Sequence, residues 1–219
     1  MINGLIPRFY KGHLEGEILI DGEDIAEKSV QELSGHIGSV FQNPRSQFFN
    51  VDSTSELVFG CENLKYSHEA MEKRLEETVM TFGIEELLNK SLFAMSGGEK
   101  QKIACASVSM PYPDIYVLDE PTSNLDIPSV IELGKIISTW KAQGKTIIVA
   151  DHRLHYLKDV ADRVVCIEKG RIAWIKTGEE FRTLGAEEAH KMGLRRLRMP
   201  EIPETTAPVG QSLGKRLNI

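Results

Sequence analysis

Residues 95–126 read MSGGEKQKIACASVSMPYPDIYVLDEPTSNLD. Three features of this stretch set the reading of the rest. The first is Ser96-Gly97-Gly98, a turn that opens a helix. Glycines let the backbone approach a ligand closely, and a helix N-terminus offers free N–H groups and the positive end of the dipole. The turn therefore suits an anion, to which Ser96 adds a hydroxyl; taken by itself it is better read as an ordinary Ser-capped helix start. The second is Ile115 to Leu118, a short, wholly apolar run of the kind found inside parallel sheets. It ends in Asp119-Glu120, where the chain leaves the sheet and where open α/β sheets bind their ligands. One such carboxylate can hold Mg²⁺ through its water shell, and its neighbour can act as a base toward water. The bland alternative is a solvated pair of loop acids. The third is the polar turn ending at Asp126, followed by a helix with Pro128 near its start and running to about Lys141.

The same grammar extends outward. Upstream, Glu17 to Ile20 reads as a strand and Asp21-Gly22 as a tight turn. Ile2, Leu5 and Ile6 read as the last turn of an apolar helix ended by Gly4 and Pro7. Ile37 to Phe41 is a strand that ends at Gln42, where a Gln can orient a water or complete a metal shell. From Ser53 to Lys90 the periodicity is helical. Ser53 with Glu56 has capping-box spacing, and Met71, Leu75, Val79 and Phe82 form the core stripe of a helix over 69–82. Downstream, Lys145 to Ala150 is a buried strand entered from a turn at Gly144. It is followed by Asp151 and His152, and a neutral His there can hydrogen-bond a phosphate oxygen or hold an attacking water. Lys169-Gly170 is a hairpin turn between strands 163–167 and 171–175. Two short helical segments follow Gly178, and from Pro200 the chain reads as linker or tail. Alternating strands and helices imply an α/β fold with a mainly parallel sheet.

Bulk composition narrows the classes. A length of 219 residues suits one domain with an appendage, and 41% hydrophobic and 26% charged residues are ordinary for a globular protein. The formal net charge of -6 argues against a nucleic-acid partner. The basic cluster of Lys191, Arg195, Arg196 and Arg198 reads as a solvated helix face. Cys61, Cys105 and Cys166 fit no metal or redox spacing and read as thiols in a reducing compartment. No apolar run approaches the ~20 residues of a membrane span, and the N-terminus has no long apolar signal core.

Taken in order, Gln42, SGGE, IYVLDE, SNLD and His152 resemble the ATP-binding cassette ATPase family, over roughly residues 1–184. FQNPRSQFF and INGLIPRFYKG further resemble the energy-coupling-factor importers of vitamins and metal ions. The resemblance implies a P-loop NTPase-like domain with a helical subdomain at about 53–110, and a C-terminal helical segment and tail at 185–219. It implies ATP and Mg²⁺ as ligands. Glu120 would be the general base, Asp119 would support Mg²⁺, and Gln42 would sense Mg²⁺ and the transport partner. His152 would contact the γ-phosphate. Ser96, Gly97 and Gly98, with Glu99 where the family often has Gln, would bind the γ-phosphate held by an opposing subunit, and Asp126 would couple the two sites. Implied partners are a second cassette and an integral membrane transport subunit, at the cytoplasmic face of the membrane.

One family element is not found in these 219 residues: a phosphate loop G-x-x-x-x-G-K-S/T, whose backbone N–H groups and lysine neutralise the β and γ phosphates. The expectations that follow are an N-terminally truncated cassette, in one reading the first of a tandem pair, that binds ATP weakly in its own site. Loss of a helix and a strand from the sheet would leave an exposed apolar face and marginal stability. Two function classes remain open: an ATPase subunit of an importer, and a catalytically dead module that donates its signature turn to a partner's ATP. A cassette ATPase of DNA repair or translation fits less well, given the acidic balance and the lack of a coiled-coil insertion.

Overall fold

The computed structural model describes residues 1–192 and 194. The Arg195, Arg196 and Arg198 part of the basic cluster and the tail from Pro200 lie outside the described residues; Lys191 ends the last described helix.

Three strands form the central sheet: β3 (Ile37–Val40), β4 (Ile115–Asp119) and β5 (Thr146–Ala150), parallel, with β4 in the middle. Ile37 pairs with Ile115 and Val40 with Leu118, while Ile115 pairs with Thr146 and Asp119 with Ala150. Side chains alternate across a strand, and β4 uses both faces. Tyr116 and Leu118 enter the main core, whereas Ile115 and Val117 pack on a second cluster built on Ile25, Leu33 and Ile37. That second layer includes the hairpin β1 (Leu19–Ile20) and β2 (Glu23–Asp24), turned at Asp21 (φ 52°) and Gly22 (φ 84°), and the short helix α2 (Val30–Ser34). Positive φ at both turn residues is what a two-residue hairpin of this hand requires.

The main core lies between the sheet and four helices: α3 (Ser53–Asn63), α4 (His68–Phe82), α5 (Gly97–Ser109) and α6 (Ile127–Ala142). Its centre is Trp140 stacked on Tyr116, with ring centroids 4.0 Å apart and 8° between the planes. Both rings are buried, and each contributes roughly 2–3 kcal/mol of apolar burial. The Trp140 indole N–H still finds an acceptor, Ser109 Oγ at 3.1 Å, and Ser109 donates to the Cys105 carbonyl at 2.8 Å. Burial pushes the Cys105 thiol up to about 12 and the Cys61 thiol up to about 11, so both are inert core thiols rather than reactive ones.

A separate antiparallel hairpin, β6 (Arg163–Glu168) and β7 (Arg171–Thr177), turns at Lys169 and Gly170, both with positive φ. Val164 packs on Phe181 of the helix α7 (Gly178–Thr183), beside Ala189 of α8 (Ala186–Lys191). On the opposite face Val165 pairs with Ile175 and Ile167 with Ile172, and all four are exposed, Ile167 to 69%. Ile148, on the outer face of β5, is also exposed.

Two local expectations need correction. The cap of α3 is Asp52, which accepts from the Ser55 N–H at 2.9 Å, and not Ser53 with Glu56. Glu56 is buried and accepts from the N–H groups of Phe49 (3.0 Å) and Asn50 (2.8 Å), and the Ser53 hydroxyl donates to the Leu87 carbonyl. Near the N-terminus, Gly4 (φ 74°) precedes a helix instead of ending one, and Pro7 does not terminate that helix. The proline lies inside α1 (Leu5–Arg8), where Ile6 before it is extended (φ −109°, ψ 128°), the conformation a following proline imposes.

Candidate active site

Parallel strands about 4.8 Å apart bring their C-terminal ends to one edge. Each of the three central strands delivers a polar side chain there: Gln42 just beyond β3, Asp119 and Glu120 at the end of β4, and Asp151 and His152 beyond β5. Glu120, on the middle strand, spans both neighbours. Its Oε2 accepts from Gln42 Nε2 at 2.8 Å, and its Oε1 meets His152 Nε2 at 3.0 Å. With the carboxylate ionised, Nε2 carries the proton and donates. The backbone makes this possible: Glu120 has φ 42°, and its N–H bonds the Ala150 carbonyl at 2.7 Å, one step past the last ladder pair. A non-glycine residue held in this region stores strain on the order of 1–3 kcal/mol, a cost that gathers at functional sites. The Glu120 side chain is about one-third exposed and that of His152 three-quarters exposed, and Asp119 is exposed beside them. The cluster faces solvent and is open to a ligand.

Beneath it lies a residue that the sequence reading passed over. The Asp151 carboxylate accepts from Thr122 Oγ1 (2.9 and 2.8 Å to its two oxygens), from the N–H groups of His152 (2.7 Å) and Arg153 (3.0 Å), and from the Tyr156 hydroxyl (2.8 Å). Burial, and then Asp151 itself, push the Tyr156 phenol well above its ordinary range, so it remains a donor. The available signal was the position of Asp151, directly between a buried strand and His152.

The signature turn is built separately. Ser96 caps α5: its Oγ accepts from the Glu99 N–H at 3.3 Å, and Glu99 accepts from the Ser96 N–H at 2.8 Å, a reciprocal capping box. That role explains Glu99 at this position, and the Ser96 N–H and hydroxyl hold its carboxyl below the ordinary range. The glycines answer to space rather than to φ. A Cβ on Gly98 would run into the Ser129 hydroxyl and lie 3.0 Å from Ser129 Cβ, and one on Gly97 would lie 3.3 Å from the Asn124 carbonyl. Asp126 caps α6 through the Ser129 N–H (3.0 Å), and Ser129 holds its carboxyl low. Asp126, Ser129 and Gly98 thus form one packed unit. Among the described residues no hydrogen bond joins Ser96–Glu99 or Asp126 to Gln42, Glu120 or His152.

The donor set fits a magnesium nucleotide in part. Among the described residues no group of three or more His, Cys, Asp or Glu side chains is placed to hold a metal. Asp119 and the Gln42 amide oxygen would offer two ligands, the pattern by which Mg²⁺ is shared with substrate phosphates rather than caged by protein. The exposed Ser96 and Gly97, the cap and first residue of the 13-residue α5, would face phosphate oxygens.

The family model described as ABC transporter matches residues 2–123. The chain belongs to the ABC transporter family. An ABC transporter ATP-binding protein of Treponema denticola is 46% identical over 209 residues, 95% of this chain and 43% of that protein. A second from Pyrococcus abyssi is 37% identical over 218 residues, 98% of this chain and 74% of that protein. The chain thus spans less than half the length of its Treponema relative. Its fold is that of ABC ATPase domains: cbiO1 from Clostridium perfringens, part of the ABC transporter complex cbiONQ, superimposes with a TM-score of 0.73 at 30% identity, covering 87% of this chain and 74% of that one. Within this ABC ATPase fold the Gln42–Glu120–His152 cluster and the Ser96–Glu99 turn are two distinct constellations.

Proposed function

We propose that the chain is the nucleotide-binding part of an ABC importer of the energy-coupling type, using ATP and Mg²⁺ to drive transport of a small solute such as a vitamin or metal ion. The convergence of Gln42 and His152 on the two oxygens of Glu120 carries this reading. Glu120 takes a proton from the attacking water at one carboxylate oxygen. Gln42, anchored on β3, and His152, anchored on β5, fix where that carboxylate points. Asp119 and the Gln42 amide oxygen would hold Mg²⁺, which would supply charge neutralisation for the phosphates. Ser96, Gly97 and Gly98 serve the γ-phosphate of a nucleotide held by a second cassette, and Asp126 ties that turn to α6.

A groove of about 360 Å³ supports the membrane partner. Its walls include Leu5 and Val30 on one side and Phe41, Phe49 and Phe59 on the other, so it is mostly apolar. Phe41 adjoins Gln42, and buried Glu56 pins the 49–50 backbone at its rim. An apolar segment of a membrane subunit seated here, at the cytoplasmic face, would press on the connection that carries Gln42. No described helix is long and apolar enough to cross a membrane. The likeness to cbiO1, part of an ABC transporter complex cbiONQ, supports the importer reading.

A second reading rests on the exposed signature turn: the chain donates Ser96–Gly98 to a partner's ATP and does not itself hydrolyse. Phosphate release from Mg²⁺–ATP separates the two. Turnover that falls by about 100-fold or more in Glu120→Gln, the range for loss of a general base, supports the hydrolytic reading. Turnover unchanged by Glu120→Gln removes Glu120 from the chemistry. No phosphate release by the wild-type chain above the protein-free background favours the donor reading.

A further inference from the structure

We propose that Asp151 is a positioning residue that holds the turn carrying His152 against the turn carrying Glu120, so that the pair is set before any nucleotide arrives. This rests on the reading of Glu120 and His152 as the reacting pair, but it concerns their geometry and can fail independently. Nothing in the strand pairing fixes His152. It lies two residues past the last ladder pair, Asp119 with Ala150, and its ring is largely exposed. A side chain so placed samples many rotamers unless its backbone is held.

Asp151 supplies the hold from both sides. On the His152 side, Oδ1 accepts the N–H groups of His152 and Arg153, which closes the backbone around one carboxylate oxygen. On the Glu120 side, both oxygens accept from the hydroxyl of Thr122, two residues past Glu120 and fully buried. From below, the partly buried Tyr156 donates to Oδ2. A second tie runs in parallel, from the Arg153 guanidinium to the Leu125 carbonyl at 3.1 Å. Two surface turns from neighbouring strands are thereby joined through one half-buried carboxylate. Networks of this kind rigidify when every member is satisfied, and catalytic geometry must be held to about half an ångström to be productive.

The test reads the His152–Glu120 contact directly, without nucleotide. The His152 Cε1–H signal is followed by NMR in the 219-residue chain, with and without Glu120→Gln, in three backgrounds. In the wild type Glu120→Gln displaces the signal. In Asp151→Ala the displacement is lost, because the ring no longer sits beside residue 120. In Asp151→Asn it returns: the amide oxygen still accepts the two backbone N–H groups, and the amide nitrogen donates to the oxygens of Thr122 and Tyr156. Rescue by Asn distinguishes a geometric clamp from a requirement for charge. If Asp151→Ala does not fold, Thr122→Val performs the test, since it keeps the volume and removes the hydroxyl that reaches Asp151 from the Glu120 turn. The same displacement in Asp151→Ala, or in Thr122→Val, as in the wild type overturns the proposal, as does a displacement that Asp151→Asn fails to restore.

Discussion

Glu120 is asked to face two neighbours at once, and a carboxylate on the central strand of three is the group that can do so. One oxygen serves Gln42 on β3 and the other His152 on β5. Strand-end position alone pointed to all three residues in the sequence, because a parallel sheet delivers its strand ends to one edge. Asp151 was not legible in the same way. Its importance lies in who donates to it, and Thr122 and Tyr156 come from a turn and a one-turn helix that no periodicity locates. Gly98 was legible as a glycine but for a different reason, since the flexible close approach read from SGG is here a lack of room against Ser129. Gly98→Ala should therefore destabilise the chain by about 1–3 kcal/mol through overpacking, measured by urea unfolding. Ser129→Gly in the same chain should recover most of that loss; no recovery would mean that the strain lies elsewhere.

Among the elements, the helices begin on side chains that the backbone has tuned. Asp52, Asp126, Glu99 and Glu180 each accept from backbone N–H or hydroxyl groups at a helix start, and each carboxyl is held below its ordinary range by those bonds. A folded-state value below the unfolded one gives stability that is present above the ordinary carboxylate range, around pH 4, and is lost as pH falls through the depressed values. The melting temperature should accordingly drop on acidification below about pH 4. Replacing two of these caps, as Asp52→Asn with Asp126→Asn, should flatten that limb, because asparagine still caps but does not titrate; an unchanged acid limb would assign the loss to other carboxylates. The misplaced cap of α3 shows where the sequence ran short. Ser53 with Glu56 and Asp52 with Ser55 are equally good patterns, and what decides between them is burial of Glu56 against the 49–50 backbone, a tertiary fact.

For the whole molecule, the readable part was the alternation of strands and helices; the order β3-β4-β5 and the detachment of the β6–β7 hairpin into its own sheet were not, since both depend on pairing at long range. The hairpin's outer face of Val165, Ile167, Ile172 and Ile175 is exposed. Contiguous apolar surface of this kind binds hydrophobic dyes. The folded chain should enhance ANS fluorescence, and Ile167→Lys with Ile172→Glu should remove most of the enhancement without lowering the melting temperature. A wild-type chain that leaves the dye dark would contradict this. The chain also keeps its two constellations apart, so a nucleotide should report on each separately.

The most direct test is a titration of the 219-residue chain with Mg²⁺–ATP, followed residue by residue through its backbone amide NMR signals. The account predicts shifts at Ser96–Glu99 and, in addition, at Gln42, Glu120 and His152, with weak affinity because no phosphate loop occurs in these 219 residues. Shifts confined to Ser96–Glu99 would reduce the chain to a signature donor. Shifts that bypass both constellations, or none at millimolar nucleotide, would contradict the assignment of these residues to ATP.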